Sequence, residues 1–372
     1  MRRSVGWLDH KWALAFFGGI LSCIFIMMQL NNEANIFNIM NFVDDNIWCV
    51  IFVVTLVISV ILFIRHIFFT KKVFAKYDSI EKYLCIYLAV IFVICFFDKV
   101  ILDLCSKAYI AYDATKRPDG FIETMFYLII NSRKIWLRGI IGTLELSLFG
   151  TAFGFILAIL LVFMRIQVPN PRDSENMQLL KLIGSTFAKW YVTIIRGTPM
   201  MVQVFIIYYG GFNVVRFIFP DYSIAQINAI YGFFTAGLVT VTLNTTAYIE
   251  EILRGGIEAV DKGQTEASRS LGLNAWQTMM KVVFPQAVKN SIPAIGNEFI
   301  INIKDTSVLN VIGVFELMFA TTTTASTYYQ YLPTYVIAAI IYLCLTLVLT
   351  RVLDWVGKKL DAPANKGLPS SN

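Results

Sequence analysis

Polar side chains placed inside apolar stretches are the first candidates for chemistry in this sequence. Gln203, Asn244, Glu298 and Asn302 all stand in such stretches, with Glu145 near the start of another. A carboxylate at the centre of a bilayer costs about 2.5–3.5 kcal/mol on insertion scales, so it normally faces a cavity or a partner. Glu298 and Asn302 are four residues apart and share one helical face, as do Asn244, Tyr248 and Glu251. These groups suit recognition: a carboxylate for an ammonium or cationic side chain, amides and hydroxyls for hydrogen bonds. The same residues could instead bond helix to helix and only hold a bundle together, a reading that suits Gln203 and Asn244 in particular. Glu145, one turn into its stretch, reads as solvated at an interface.

A second stretch, Asp261 to Pro285, carries Lys262, Glu266, Arg269 and Lys281 between two long apolar segments and belongs in water. Asp261 and Gln264 have capping-box spacing, which predicts a helix starting at Lys262. Gly272 can end it in the left-handed conformation. Asn274 with Gln277 can cap a second helix, which Pro285 is expected to interrupt. The product is a bent pair of short helices on which Ala267, Leu271 and Ala275 offer an apolar ridge for a groove in a partner protein. Glu266 in a first turn would stabilise its helix by about 0.3–1 kcal/mol through the dipole, even without a partner.

Composition excludes several functions. The 372 residues are 57% hydrophobic and 15% charged, which places the chain among all-α polytopic membrane proteins. The net charge of +6 follows membrane flanks and implies no nucleic acid. Six scattered cysteines without a CxxC pair, and only two histidines, argue against disulfides, metal centres and catalytic triads. The chain has no Gly-x4-Gly-Lys-Ser/Thr loop, so any ATP must be used by another subunit, and we expect no directly bound cofactor. The N-terminus resembles a signal peptide, but its apolar run is about span length and reads as a retained span.

About eight spans are expected, at 12–30, 47–69, 83–97, 140–163, 199–219, 225–249, 286–303 and 334–353. The third is short and can extend through Leu102. With both ends inside, only nine of the 31 basic residues fall outside, so both termini and the 261–285 stretch are expected in the cytoplasm. Phe121, Met125, Leu128 and Ile129 have helical spacing and predict an interfacial amphipathic helix, with a boundary at the Pro-Asp-Gly turn of 118–120. Thr198-Pro199 reads as a helix start, a cap followed by proline at the first position, with Arg196 anchoring at the interface. Lys304 and Asp305 could pair at the outer face. The tail 361–372 reads as disordered.

Glu266-Ala267, Gly272 six residues after the Glu, and Val282-Val283-Phe284-Pro285 resemble the EAA loop of ABC-importer permease subunits; Ser268 stands where the family has a second Ala. The likeness extends over roughly 139–360. Gly142-Thr143-Leu144-Glu145-Leu146-Ser147 resembles the start of the first core span. Arg196-Gly197-Thr198-Pro199 with Gln203 is similar to the signature of the polar amino acid branch. So are Asn244-Thr245, Ala247-Tyr248, Arg254-Gly255-Gly256, Gly296-Asn297-Glu298-Phe299 and Lys304-Asp305-Thr306-Ser307. The resemblance implies a five-span core at 139–360 that dimerises with itself or a sibling permease in a bacterial plasma membrane. It also implies ATP-binding subunits engaged through Glu266, Ala267, Ser268, Leu271 and Gly272, and an extracytoplasmic amino-acid-binding protein. Substrate would pass Glu298, Asn302, Asn244, Tyr248 and Gln203, while Arg196, Gly197, Thr198, Pro199 and Pro285 would be architectural. Residues 1–120 form an extension of about three spans and 121–138 a linker. The rivals are an ion-gradient-driven secondary transporter, which would work without an ATPase subunit, and an intramembrane hydrolase, against which the chain has neither a mid-span His nor a Gly-x-Ser-x-Gly elbow.

Overall fold

The computed structural model describes residues 8–30, 45–68, 78–171 and 173–361, and every described element is helical. The chain divides into two compact units, 1–130 and 131–372. The expected tail after Asp361 and most of the 31–46 loop lie outside the described residues.

The first unit contains α1 (Leu8–Leu30), α2 (Asp45–Phe68), α3 (Asp78–Phe96), α4 (Asp103–Asp113) and most of α5 (Phe121–Asn131). A π-helical turn at Phe97–Leu102 joins α3 to α4, so the third span does not end near 97 but runs on to Asp113. Ile26, Trp48 and Cys95 form one small core, Leu62 and Leu88 another. The non-helical stretch before α5 is tied down by Thr124, whose hydroxyl donates to the Pro118 carbonyl at 2.9 Å.

The second unit begins with α6 (Arg133–Arg165), which takes up the basic residues Arg133, Lys134 and Arg138 that the sequence had suggested for a linker. It continues with α7 (Glu175–Gly197), α8 (Met200–Ile218), α9 (Ile224–Ile230) and α10 (Phe233–Glu258). Then come α11 (Lys262–Ser270), α12 (Ala275–Thr278), α13 (Phe284–Asp305), α14 (Leu317–Tyr328) and α15 (Tyr331–Asp361). Arg133–Arg165, Met200–Ile218, Ile224–Glu258 and Tyr331–Gly357 are long and apolar enough to cross a membrane; Ala275–Ile312 and Leu317–Tyr328 form one bent pair at 52°. The protein is thus a multi-pass helical membrane protein. Neither α7 nor α14 is among the expected spans: α7 carries Glu175, Lys181, Lys189 and Arg196, and α14 is rich in threonine.

Small residues on α6 allow the closest packing in this unit, as interfaces between membrane helices commonly do. A methyl group added at Gly142 would strike the Phe315 carbonyl, and one at Gly139 would meet the Ala320 side chain. Further along, Gly150 faces Val241 and Gly154 faces Thr245, so α10 lies directly on α6. The main apolar core joins Leu146, Val204, Ala236, Val241, Leu309 and Val314. Glu145, by contrast, is exposed on the outer side of α6.

Two expectations about proline fail. Pro285 interrupts nothing: a π turn at Met279–Val283 absorbs it, and it occupies the start of α13, where a missing N–H costs little. Pro199 is not the first helical residue of α8 but its N-cap, with its carbonyl accepting from the Val202 and Gln203 amides. Thr198 ends α7, and its hydroxyl donates back to the Ile194 carbonyl instead of capping α8.

Candidate functional site

The bend between α10 and α13 is fixed by local bonds. Asp261 caps α11 by accepting from the Gly263 amide at 2.6 Å. Gly272, at φ +86°, closes α11 with a paired motif: its own N–H donates to the Arg269 carbonyl at 2.9 Å and the Leu273 N–H to the Ser268 carbonyl at 3.2 Å. Asn274 and Gln277 form the reciprocal capping box that opens α12. Glu266, Ala267 and Gly272 are exposed, and Leu271 is 84% exposed. Ser268 differs from its neighbours: it is buried, donates to the Thr265 carbonyl at 2.9 Å and lies 3.2 Å from Thr278. It therefore braces the two short helices from within. Trp276, which sequence reasoning passed over, is 58% exposed, and Phe163 joins it to Phe284 through ring contacts at 5.8 and 4.9 Å. An exposed leucine and an exposed tryptophan on a braced elbow can anchor a partner in a groove.

The polar side chains inside the bundle sort into two groups. Gln203 is a structural clasp: its amide donates to the Ile195 and Thr198 carbonyls and to the Thr198 hydroxyl, while its oxygen accepts from Asn244 at 2.9 Å. It binds the Arg196–Pro199 turn to α10. Asn302 is also engaged, donating to Thr151 and Thr245 at 2.9 Å each and so joining α6, α10 and α13. Glu298 and Tyr248 make no hydrogen bond among the described residues. Glu298 is only 6% exposed, which makes its carboxylate the buried polar group on α13 still open to a ligand. Lys304 and Asp305 form no ion pair with each other.

Sequence reasoning missed an ion cluster two to three residues beyond Tyr248. Glu250 is fully buried and accepts from Arg165 at 2.6 Å. Glu251 accepts from Arg196 at 2.6 Å, lies 3.8 Å from Arg165, and pairs with Arg254, which also reaches Glu258. The Arg196 guanidinium stacks over the Tyr248 ring at 5.2 Å. Three arginines from α6, α7 and α10 thus converge on two adjacent acids. The available signal was the tandem Glu250-Glu251 on a helix otherwise apolar to its last turns, since buried acids there demand cationic partners.

Residues 150–362 match the family of binding-protein-dependent transport system inner membrane components. The chain is 32% identical over 237 residues to the probable amino-acid ABC transporter permease protein PatM of Vibrio harveyi, covering 63% of this chain and 96% of that one. It is 34% identical to the arginine transport system permease protein ArtQ of Bacillus subtilis, covering 61% and 92%. It is also 33% identical to the nopaline transport system permease protein NocM of Agrobacterium fabrum, covering 61% and 88%. Among solved structures, it is similar to an amino acid ABC transporter crystallised with histidines: 33% identity, TM-score 0.51, covering 62% of this chain and 96% of that chain.

Proposed function

The chain belongs to the family of binding-protein-dependent transport system inner membrane components, and from that premise we propose that it is the permease subunit through which an ATP-driven importer carries polar amino acids into the cytoplasm. The carrying observation is the elbow at 261–278, braced internally by Ser268 and Thr278 while Leu271 and Trp276 project from it. A shape held from within and apolar at its surface supports docking of an ATP-binding subunit, with Glu266, Ala267, Leu271 and Gly272 at the contact. Closure of two such ATPases draws two elbows together, and the bundles rock as rigid bodies to open the opposite side. Both termini and the elbow then face the cytoplasm, the plasma membrane is the site, and a binding protein delivers substrate from outside. The names of PatM, NocM and ArtQ support amino acids as the cargo.

Within the bundle, Glu298 and Tyr248 carry the substrate contacts, and Gln203, Asn244 and Asn302 hold the wall they stand on. The experiment is co-purification with the ATP-binding subunit, followed by ATP hydrolysis and uptake in proteoliposomes across a panel of amino acids. Glu266→Lys and Gly272→Val are expected to abolish recovery of the ATPase while the permease remains in the membrane. Uptake that persists without an ATPase and collapses with the ion gradient would overturn the reading in favour of a secondary transporter.

A further inference from the structure

Arg196 opens the Arg-Gly-Thr-Pro turn, and its pairing with Glu251 uses only part of its guanidinium. Its surroundings are unusual for an anchor. One guanidinium nitrogen is held by Glu251 at 2.6 Å, and the plane is stacked on the Tyr248 ring at 5.2 Å. Both supports come from a single continuous helix, α10, so the group is held on two sides. Yet the side chain remains 41% exposed. A guanidinium offers five N–H donors in a fixed fork, and only the one on Glu251 has an acceptor among the described residues. The remaining donors make no hydrogen bond among the described residues, beside a Tyr248 ring that shares a helical face with Asn244 and Glu251. Asn302 meets Thr245 and Ser291 meets the Ile252 carbonyl, and these contacts bracket Glu298 on α13 and Tyr248 on α10 at one level; the Glu298 carboxylate there is buried and makes no hydrogen bond among the described residues.

We propose that Arg196 is the carboxylate-binding residue of the transport pathway: its clamped fork takes the α-carboxylate of an amino acid whose ammonium or cationic side chain meets Glu298. This rests on the reading of the protein as an amino acid permease. A planar fork matches a carboxylate in two parallel bonds, which a lysine ammonium at the same place cannot reproduce. Holding the fork beforehand with Glu251 and Tyr248 removes the ordering cost that a free arginine side chain would meet on binding. The opposed pair of charges selects zwitterions. It disfavours amines without a carboxylate and acids without an ammonium, since either leaves the open Arg196 donors or the Glu298 carboxylate without a partner. Glu251 acts through Arg196 and is a positioning residue, not a contact.

The test measures binding to the detergent-solubilised permease–ATPase complex without binding protein, using each of the twenty L-amino acids and its α-carboxamide. The carboxamide keeps the ammonium and side chain but loses the carboxylate charge. The wild-type complex is expected to prefer the acid over its carboxamide by about tenfold or more, the scale of one charge-assisted pair. Arg196→Gln is expected to erase that preference and leave carboxamide binding unchanged, whereas Arg196→Lys keeps part of it. Glu251→Gln is expected to weaken the acid while its preference over the carboxamide persists. An Arg196→Gln complex that still prefers the acid as the wild type does would overturn the proposal. So would equal loss of acid and carboxamide, which is what a purely structural arginine gives. Should Arg196→Gln fail to assemble, Arg196→Lys decides, and an undiminished preference there is equally adverse. If no amino acid binds the wild-type complex at all, the amino acid reading itself falls and this inference falls with it.

Discussion

Ser268 Oγ stands 3.2 Å from Thr278 Oγ1, a contact that ties the first short helix of the elbow to the second. Both hydroxyls are buried, so the contact is shielded from water and the angle between α11 and α12 depends on it. Ser268→Val leaves Thr278 without this partner in a closed space, at a cost of about 1–3 kcal/mol. Amide exchange across 262–278 is expected to quicken in that variant and to stay unchanged along α6. Ser268→Ala together with Thr278→Ala, which removes both polar groups, is expected to cost less than the single valine change. Equal protection in all three proteins would show that the pair does not hold the bend.

Gly272 sits at φ +86°, where a side chain is strained whatever space surrounds it. Gly272→Val is expected to cost about 1–2 kcal/mol, while Gly272→Asn, whose side chain tolerates this region, costs less. Far-ultraviolet dichroism reports whether the bundle survives, and recovery of the ATP-binding subunit reports on the elbow. The expected order of recovery is wild type, then Asn, then Val. An Asn variant as poor as Val would point to steric exclusion at the docking surface instead of backbone strain.

Glu250 is fully buried and Arg165 is its hydrogen-bonding cation at 2.6 Å. Removing one partner leaves a charge without compensation, which costs about 3–5 kcal/mol. Arg165→Leu is therefore expected to lower the thermal aggregation midpoint of the purified protein sharply. Arg165→Leu combined with Glu250→Leu is expected to restore much of it. Strictly additive losses in this cycle would mean that the two residues do not couple.

The seam between α6 and the 315–320 segment depends on the absence of a side chain. Gly142 lies against the Phe315 carbonyl, which is backbone and cannot swing aside, and Leu317 N–H donates to the neighbouring Thr143 hydroxyl at 3.0 Å. Gly142→Leu is expected to separate the two segments and abolish membrane accumulation. Gly184→Ala, which has only Met164 atoms at 3.7 Å and beyond, is expected to be tolerated and serves as the control.

The elbow was readable because each of its bends is made by a local residue with one conformational use: Asp261 and Asn274 as caps, Gly272 as a left-handed stop. The exposed ridge followed from the same spacing, although Ser268, next to Ala267, turned inward because a buried hydroxyl had a partner ten residues away. Such distant partners are what a linear reading does not carry. Gln203 could be read as lining or as a tie between helices until Ile195, Thr198 and Asn244 were brought around it, and Glu250 drew no attention until Arg165 arrived from another helix. The helix α7 was passed over because four charges break its apolar run, yet Ala188 and Val192 bury against Leu161 and Ala247. Pro285 was misjudged because a proline near a helix start can be absorbed by one widened turn.

The helix α10 runs unbroken for 26 residues from Phe233 to Glu258, three residues short of Asp261. At 1.5 Å per residue that is a rod of about 39 Å. A stiff rod pivoted near one end multiplies angles into travel: a tilt of about 5° carries the other end about 3 Å, enough to pull a side chain away from its partner. The acids at 250 and 251 lie close to the pushed end, and Asn244 and Thr245 lie nearer the middle. A nudge delivered at Asp261 would therefore disturb the ion cluster first and the polar lining next, in an order set by leverage alone.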